Sequence, residues 1–249
     1  MKKIVSVLLA MICLISVASC LAETPKAGDI VTFGHFDQDK NSSNGKEAIE
    51  WIVLETDGET AFLLSRYVLD ARAYHSSNGK NDWSKSKMRS WLNKTFLEKA
   101  FSNKEQKAIV TTTLDNRADQ SKSKEINGKE TKDKVFLLSY AELEKYFPDQ
   151  ESRKAVYTDT ALNAYSDGSM TFAALKEYFQ EYYGGCREWY LRTAEINMFS
   201  GYYSPDCVDR DGEMTFIGVT PTLSKGVRPA IVVNLSKAGS LLTVISSGN

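Results

Sequence analysis

The chain has 249 residues, with 31 Lys and Arg against 32 Asp and Glu and a formal net charge of −1. That balance gives no electrostatic argument for nucleic acid as a partner. A content of 42% hydrophobic and 11% aromatic residues excludes a disordered chain and is ample for a folded core.

The first twenty residues, MKKIVSVLLAMICLISVASC, place Lys2 and Lys3 before an uncharged, mostly apolar run over 4–18. The run falls short of the roughly 20 residues needed to span hydrocarbon, so it reads as a secretory signal. Val17-Ala18-Ser19-Cys20 fits a bacterial lipobox, in which the cysteine is diacylated and becomes the first residue. Ordinary cleavage after Ser19 or Ala22, with Cys20 incidental, is the competing reading. The expected organisation is a signal peptide over 1–19, a lipid-anchored tether over 20–28, one domain over 29–238 and a tail over 239–249. The expected address is the cell envelope, outside the cytoplasm, with the membrane as a partner through the lipid. Cys13 leaves with the signal. Cys186 and Cys207 then remain in an oxidising compartment and are expected to form a disulfide, worth roughly 3 kcal/mol for a loop of about 21 residues, with two buried free thiols as the alternative.

Ordered structure is expected from a strand over 30–34, followed by a polar loop over 37–46. The stretch EWIVLETDGETAFLLS reads as a hairpin turning at Asp57-Gly58, of type I′. Its second run, AFLLS at 61–65, is echoed by VFLLS at 135–139, which suggests two similarly used strands, each leading into a helix. Met88, Trp91, Leu92, Thr95 and Phe96 recur at three-and-four spacing, with Ser84 or Ser86 as cap. Ser102 with Glu105, and Ser139 with Glu142, have capping-box spacing, and the second helix must end by Phe147 because Pro148 follows.

The highly charged stretch 117–134 reads as a long loop or a hairpin turning at Asn127-Gly128. Over 171–183 a helix sets Phe172, Leu175, Tyr178, Phe179 and Tyr182 on one face, ended by Gly184-Gly185, and this stripe reads as core packing. Strands are expected at 188–193, 207–208, 213–219 and 231–235, with at most one edge strand beyond Leu242.

Several of these segments combine into a pattern: Trp83, Ser86, Arg89 and Trp91-Leu92-Asn93; Phe101 and Glu105; Phe136-Leu137-Leu138-Ser139; Trp189, Leu191 and Arg192; Asp211-Gly212; and Gly226-Val227-Arg228-Pro229-Ala230. Together they resemble a family of bacterial secreted and lipoprotein domains related to the C-type-lectin-like fold of the formylglycine-generating, or sulfatase-modifying, enzymes. The resemblance spans about residues 28–237 and implies a single α+β domain with short twisted antiparallel sheets, flanking helices and long loops. The helix at 171–185 is longer than the family's usual spacing there. No reaction is implied, since fold does not transfer function.

The chemistry of the fold's enzymes also finds no match. A thiolate-bound metal needs two closely spaced cysteines, and Cys186 and Cys207 are far apart in sequence. His35 and His75 cannot supply a three-histidine iron site or a zinc pair. The stretch SPDCVDRDGEM raises calcium through Asp206, Asp209, Asp211 and Glu213, but it fails EF-hand spacing and Asp211-Gly212 is more economically a hairpin turn. Neither a metal nor another cofactor is therefore expected.

The expected function is a non-catalytic binding or structural module for carbohydrate or a surface protein. Its ligand surface is placed over 193–225, using Trp189, Tyr202, Tyr203, Asp206, Asp209 and Asp211. An enzyme of the formylglycine-generating superfamily and a structural subunit of a surface assembly are the alternatives. Arg192 and Arg228, each attached to a core strand, are expected to be structural. Arg228 should be buried and paired with a carboxylate or backbone carbonyls, with Arg228→Met costing a few kcal/mol.

Overall fold

A computed structural model describes residues 24–79, 82–117, 128–196, 200–215 and 220–248. The signal and Cys20 lie outside these residues. The fold is α+β, with two principal sheets, a small ribbon and short helices.

Alternation in the sequence builds the first sheet. Ile49, Trp51 and Val53 alternate inward along β2 (Glu47–Thr56), which pairs with β1 (Ile30–Phe36) on one side and β3 (Thr60–Ser65) on the other. The β2–β3 turn differs from the expected type I′, which needs positive φ at both central residues. Gly58 alone in this turn has positive φ, at 87°. Asp57 acts through its side chain, which accepts hydrogen bonds from the backbone N–H groups of Glu59 (2.9 Å) and Thr60 (2.6 Å).

β12 (Ala230–Asn234) continues this sheet, and the two echoing segments flank it. Ala230 pairs with Leu64 of β3 and with Phe136 of β7 (Val135–Phe136). The segments diverge afterwards. Ser139 caps a helix, whereas Ser65 gives its hydroxyl to the Tyr67 carbonyl (2.9 Å) and the chain passes to a strand, β4 (Asp70–Ala73), instead of the expected helix. The far edge is β13 (Thr243–Ser246) on β1, giving the order β13-β1-β2-β3-β12-β7, so the sheet extends beyond the expected boundary at 238.

The second sheet has the order β10-β9-β8-β11-β4, built from β8 (Trp189–Ile196), β9 (Tyr203–Val208), β10 (Met214–Thr215) and β11 (Ser224–Val227) around β4. One pair, β11 with β8, is parallel, through Gly226 and Trp189. Gly226 cannot be replaced there without displacement, since a Cβ would lie 2.5 Å from the Tyr157 hydroxyl and 2.7 Å from Val68. β5 (Thr112–Leu114) and β6 (Thr131–Asp133) pair antiparallel as the ribbon, and residues 118–127 of the charged stretch between them, Asn127 included, lie outside the described residues.

Helices cover the sheets where the caps place them. Ser86 caps α1 (Lys87–Trp91), which runs through a π turn at Leu92–Phe96 into α2 (Leu97–Ala100). Both capping boxes are formed, Ser102 with Glu105 for α3 (Asn103–Ala108) and Ser139 with Glu142 for α4 (Tyr140–Tyr146). Next come α5 (Gln150–Arg153), α6 (Asp159–Tyr165) and α7 (Phe172–Tyr183), the last ended by Gly184 in the left-handed region, and finally α8 (Leu235–Ala238).

Cys186 and Cys207 are free thiols, which corrects the expected disulfide. Strand register separates them. Cys207 sits in β9 opposite Tyr190, while Cys186 precedes β8 and bridges Val156. Four residues of extended chain from Cys186 to Tyr190 amount to about 13 Å, far beyond disulfide reach.

Both structural arginines are buried, by different means. Arg192 donates Nε to Asn116 Oδ1 (3.1 Å), Nη1 to the Leu137 carbonyl (3.0 Å) and to Glu142 Oε2, and Nη2 to Glu142 Oε1 (3.0 Å) and the Asp115 carbonyl (3.4 Å). Arg228 donates Nε to the Ser65 carbonyl (2.9 Å), as expected, but pairs with no carboxylate among the described residues. Its guanidinium lies 4.9 Å from the Trp189 ring centre and 5.5 Å from that of Phe147, Nη1 has no acceptor among the described residues, and burial pushes its pKa down to about 9.

The contrast sets two expected outcomes. Glu142→Ala strands Arg192 as a buried charge and should cost about 3–5 kcal/mol in urea unfolding. Arg228→Met removes desolvated charge while keeping volume, so it should stay within about 1 kcal/mol of the parent, a smaller cost than the sequence suggested. Arg228→Ala, which also opens a cavity, should cost about 2–5 kcal/mol.

Candidate functional site

Within the expected ligand stretch GYYSPDCVDRDGEM the strand expected at 207–208 begins earlier, as β9, and so has two ends. β9 separates Tyr202 and Tyr203 from Asp209 and Asp211 by about 17 Å. Tyr202 is 46% exposed at the first end, and the Tyr203 backbone N–H donates to the Gly79 carbonyl (2.9 Å). At the second end Asp209 Oδ1 accepts from the N–H groups of Asp211 and Glu213, both at 2.9 Å, shaping the Asp-Gly turn. A Cβ on Gly212 would lie 1.9 Å from the Gln150 carbonyl, which fixes that turn against α5. Asp211 is exposed beside Arg210 (3.6 Å).

Two of the predicted contacts are interior. Trp189 is fully buried, donates Nε1 to the Arg153 carbonyl (3.2 Å) and stacks on Arg228, so it meets no ligand. Asp206 is 1% exposed, on the inner face opposite the polar exterior assigned to it. Asp206, Asp209 and Asp211 do not converge, which removes the calcium reading for them. Among the described residues one group of carboxylates does converge, Asp37, Asp39 and Glu47, within 4.8 Å. Hydrogen bonds from Lys40 N, Thr160 Oγ1, Asn41 N and Gln38 N account for that convergence. The alternation of Asp37, Asp39 and Asn41 was its only sequence signal.

A cleft opens at the Asp209 end. Two hollows of about 400 and 500 Å³ adjoin, sharing Arg187, Glu188, Leu223 and Lys225. The smaller is walled by Asp209, Arg210 and Asp211 of the β9–β10 turn. The larger is walled by Tyr165 of α6, by Met170, and by Tyr178 and Phe179 of α7. Sequence reasoning assigned the α7 stripe wholly to the core, and α7 divides it. Leu175 and Phe179 are buried, while Tyr178 and Tyr182 are 39% and 62% exposed with ring centres 5.0 Å apart.

An ion network forms the floor. Glu188 lies between Lys225 (Nζ to Oε1, 3.2 Å) and Arg187 (Nε to Oε2, 3.2 Å). Arg187 also donates to the Tyr165 hydroxyl, and its guanidinium packs over the rings of Tyr165 (4.5 Å) and Phe179 (4.4 Å). Burial raises the Glu188 carboxyl, but Lys225 and Arg187 outweigh it and hold the group below its ordinary range. The floor is therefore charged at neutral pH and held in place by aromatic packing. Arg187, Glu188 and Lys225 escaped sequence reasoning because they flank strands 37 residues apart that become neighbours only through the parallel β8–β11 pair.

An α+β protein with a charged, aromatic-walled cleft at one end of its second sheet is the class these features define. Residues 58–235 match a family described as a domain of unknown function, DUF6273, and the chain belongs to that family. No curated protein and no solved structure matches the chain. The matched segment runs from the β2–β3 turn to the first residue after β12, so it includes every residue of the cleft.

Asp206 supplies a pH prediction. Neither of its oxygens has a well-formed hydrogen bond to a described residue. Burial raises its pKa from 3.8 to about 7, with Glu195 adding to the rise and the Thr193 hydroxyl opposing it. Between these values the folded state holds a proton that the unfolded state has released. The contribution of Asp206 to stability should therefore be greatest below about pH 4, fall by at most about 1.4 kcal/mol per unit towards pH 7, and level off above it, set against the opposite trend from carboxylates such as Glu188 that are held below their ordinary range. Asp206→Asn should flatten this slope in urea titrations at pH 5 and pH 8.

Proposed function

We propose that this protein is a lipid-anchored, extracytoplasmic binding module whose ligand is carbohydrate, held in the cleft over Arg187, Glu188 and Lys225. The carrying observation is the pairing of exposed aromatic faces with fixed polar groups in one concave site. Tyr178 offers a flat apolar surface, and the Arg187–Glu188–Lys225 network offers donors and acceptors held in place by Tyr165 and Phe179. A sugar ring presents the complementary pattern, an apolar face edged with hydroxyls, and such sites bind by stacking together with a few convergent hydrogen bonds.

This reading keeps the binding role expected from the sequence and moves the site. Asp209 and Asp211 remain at its rim, while Tyr202 and Tyr203 stand at the opposite end of β9. A C-type-lectin-like ancestry is part of the proposal and rests on the sequence motifs. The envelope address rests on the tripartite signal and Cys20. No helix among the described residues is long and apolar enough to cross a membrane.

On a glycan array the full chain should retain a restricted set of sugars. Tyr178→Ala and Leu223→Asp should each weaken that binding about tenfold or more without lowering the melting temperature, and Tyr202→Ala should leave it unchanged. Retention of no sugar, or undiminished binding by the first two variants, would overturn the carbohydrate reading. Capture of a stoichiometric surface protein by the same face would replace it. Independently, Cys20→Ser should shift the protein from the membrane fraction to the soluble one and abolish incorporation of a labelled fatty acid.

A further inference from the structure

A second concavity, remote from the cleft, lies on the outer face of the first sheet. Phe62 of β3 and Val232 of β12 are cross-strand partners on two adjacent interior strands of that sheet, yet both are only half-buried. The β5–β6 ribbon and α4 stand over them without closing, and leave a pocket of about 400 Å³. Phe136 extends the floor, its ring 5.8 Å from that of Phe62 at an interplanar angle of 28°, and Tyr146 meets Phe62 edge-on at 5.7 Å. A pocket of this size takes a small organic molecule, and its floor suits one with a flat apolar face.

The walls decide the ligand's charge. Four carboxylates, Glu55, Asp57, Asp115 and Glu142, line the pocket against one cation, Arg192. All five N–H donors of Arg192 are already used inside the protein, on Glu142, Asn116, Leu137 and Asp115, so it offers a ligand nothing. Apart from Leu114, the remaining side chains at the walls are threonine hydroxyls, and Thr112 Oγ1 is buried with no partner among the described residues.

Two of the carboxylates have counter-ions at the solvent edge. The Lys145 to Glu55 pair (2.6 Å) leaves its side chains 60% and 57% exposed, and the Arg117 to Asp115 pair leaves them 66% and 35% exposed. The single-point Lys145 pair contributes little and yields to a competing cation seated in the pocket, whereas Arg117 holds Asp115 through a fork and leaves it to contribute field. Asp57 and Glu142 are held by internal hydrogen bonds and contribute field without needing to move.

The geometry points to a second ligand site, between the β5 edge and the Phe62–Val232–Phe136 floor, specific for a small organic cation with a flat apolar face. The ammonium or amidinium group lies towards Glu55 and Asp115, and the apolar face lies on Phe62. Nothing in this assignment depends on what the Arg187–Lys225 cleft binds.

Three probes of one shape test it: benzylammonium, benzyl alcohol and benzoate, titrated into the full chain at neutral pH and followed by NMR. Benzylammonium should shift the Val232 methyl and Phe62 ring signals and bind several-fold more tightly than benzyl alcohol, while benzoate should leave them unmoved. Glu55→Gln, at an exposed position that leaves folding intact, and Thr112→Val should each weaken benzylammonium about threefold, and added salt should weaken it further. Equal response to all three probes, no response to any, or shifts confined to Tyr178 and Leu223 would each overturn the assignment.

Discussion

The pairing of Arg192 with Glu142 is the contact on which the rest of the structure depends, because it is where the separate parts meet. Arg192 belongs to β8, in the middle of the second sheet. Its guanidinium reaches α4 through Glu142, the exit of β7 through the Leu137 carbonyl, and the ribbon through Asn116 and the Asp115 carbonyl. Its own carbonyl accepts the Tyr74 hydroxyl at 2.7 Å, bringing in the chain that follows β4. Glu142 serves twice, since it also closes the capping box of α4 on the Ser139 N–H (2.8 Å). A buried ion pair contributes modestly to net stability, but it tolerates few arrangements, and this one sets how the two sheets and the ribbon lie against one another.

Arg228 shows the other way a cation can be kept inside. Aromatic rings replace the carboxylate, and one carbonyl replaces a full set of acceptors. Asp206 lies on the same sheet, isolated from both arginines in hydrogen-bonding terms, and adapts by favouring its neutral form. Three buried ionisable groups thus meet the cost of desolvation in three ways: pairing, stacking and protonation. The differences follow from what each strand register places opposite the group.

The two concave sites divide the chemistry of the surface. The cleft beside α7 has cations and an anion locked together on its floor and aromatic side chains on its wall. The pocket over Phe62 has an aromatic floor and acceptor walls, with its single cation turned inward to the core. The first suits a polyhydroxylated ligand and the second a cationic one. Both lie where a cover is shorter than the sheet beneath it, since α7 carries more aromatic surface than the core can take and the ribbon spans only three residue pairs.

Local sequence determined the elements whose causes are local. Ser86, Ser102, Ser139 and Thr171 cap the helices they were expected to cap or begin, because each satisfies backbone N–H groups two or three residues away. The alternation of Ile49, Trp51 and Val53, the Asp57-Gly58 reversal and the pairing of both echoing segments with β12 were legible for the same reason. Tertiary structure decided what depends on distant partners. It placed Trp189 and Asp206 inside although both were expected on the ligand surface. It kept Cys186 and Cys207 apart by strand register, and turned half of the α7 stripe outward. It also assembled Arg187, Glu188 and Lys225 across a parallel pairing that no periodicity announces. A side chain's neighbours along the chain are fixed by the backbone, but its neighbours across a sheet are fixed only by which strands pair and in what register. Both proposed ligand sites are built from the second kind of neighbour.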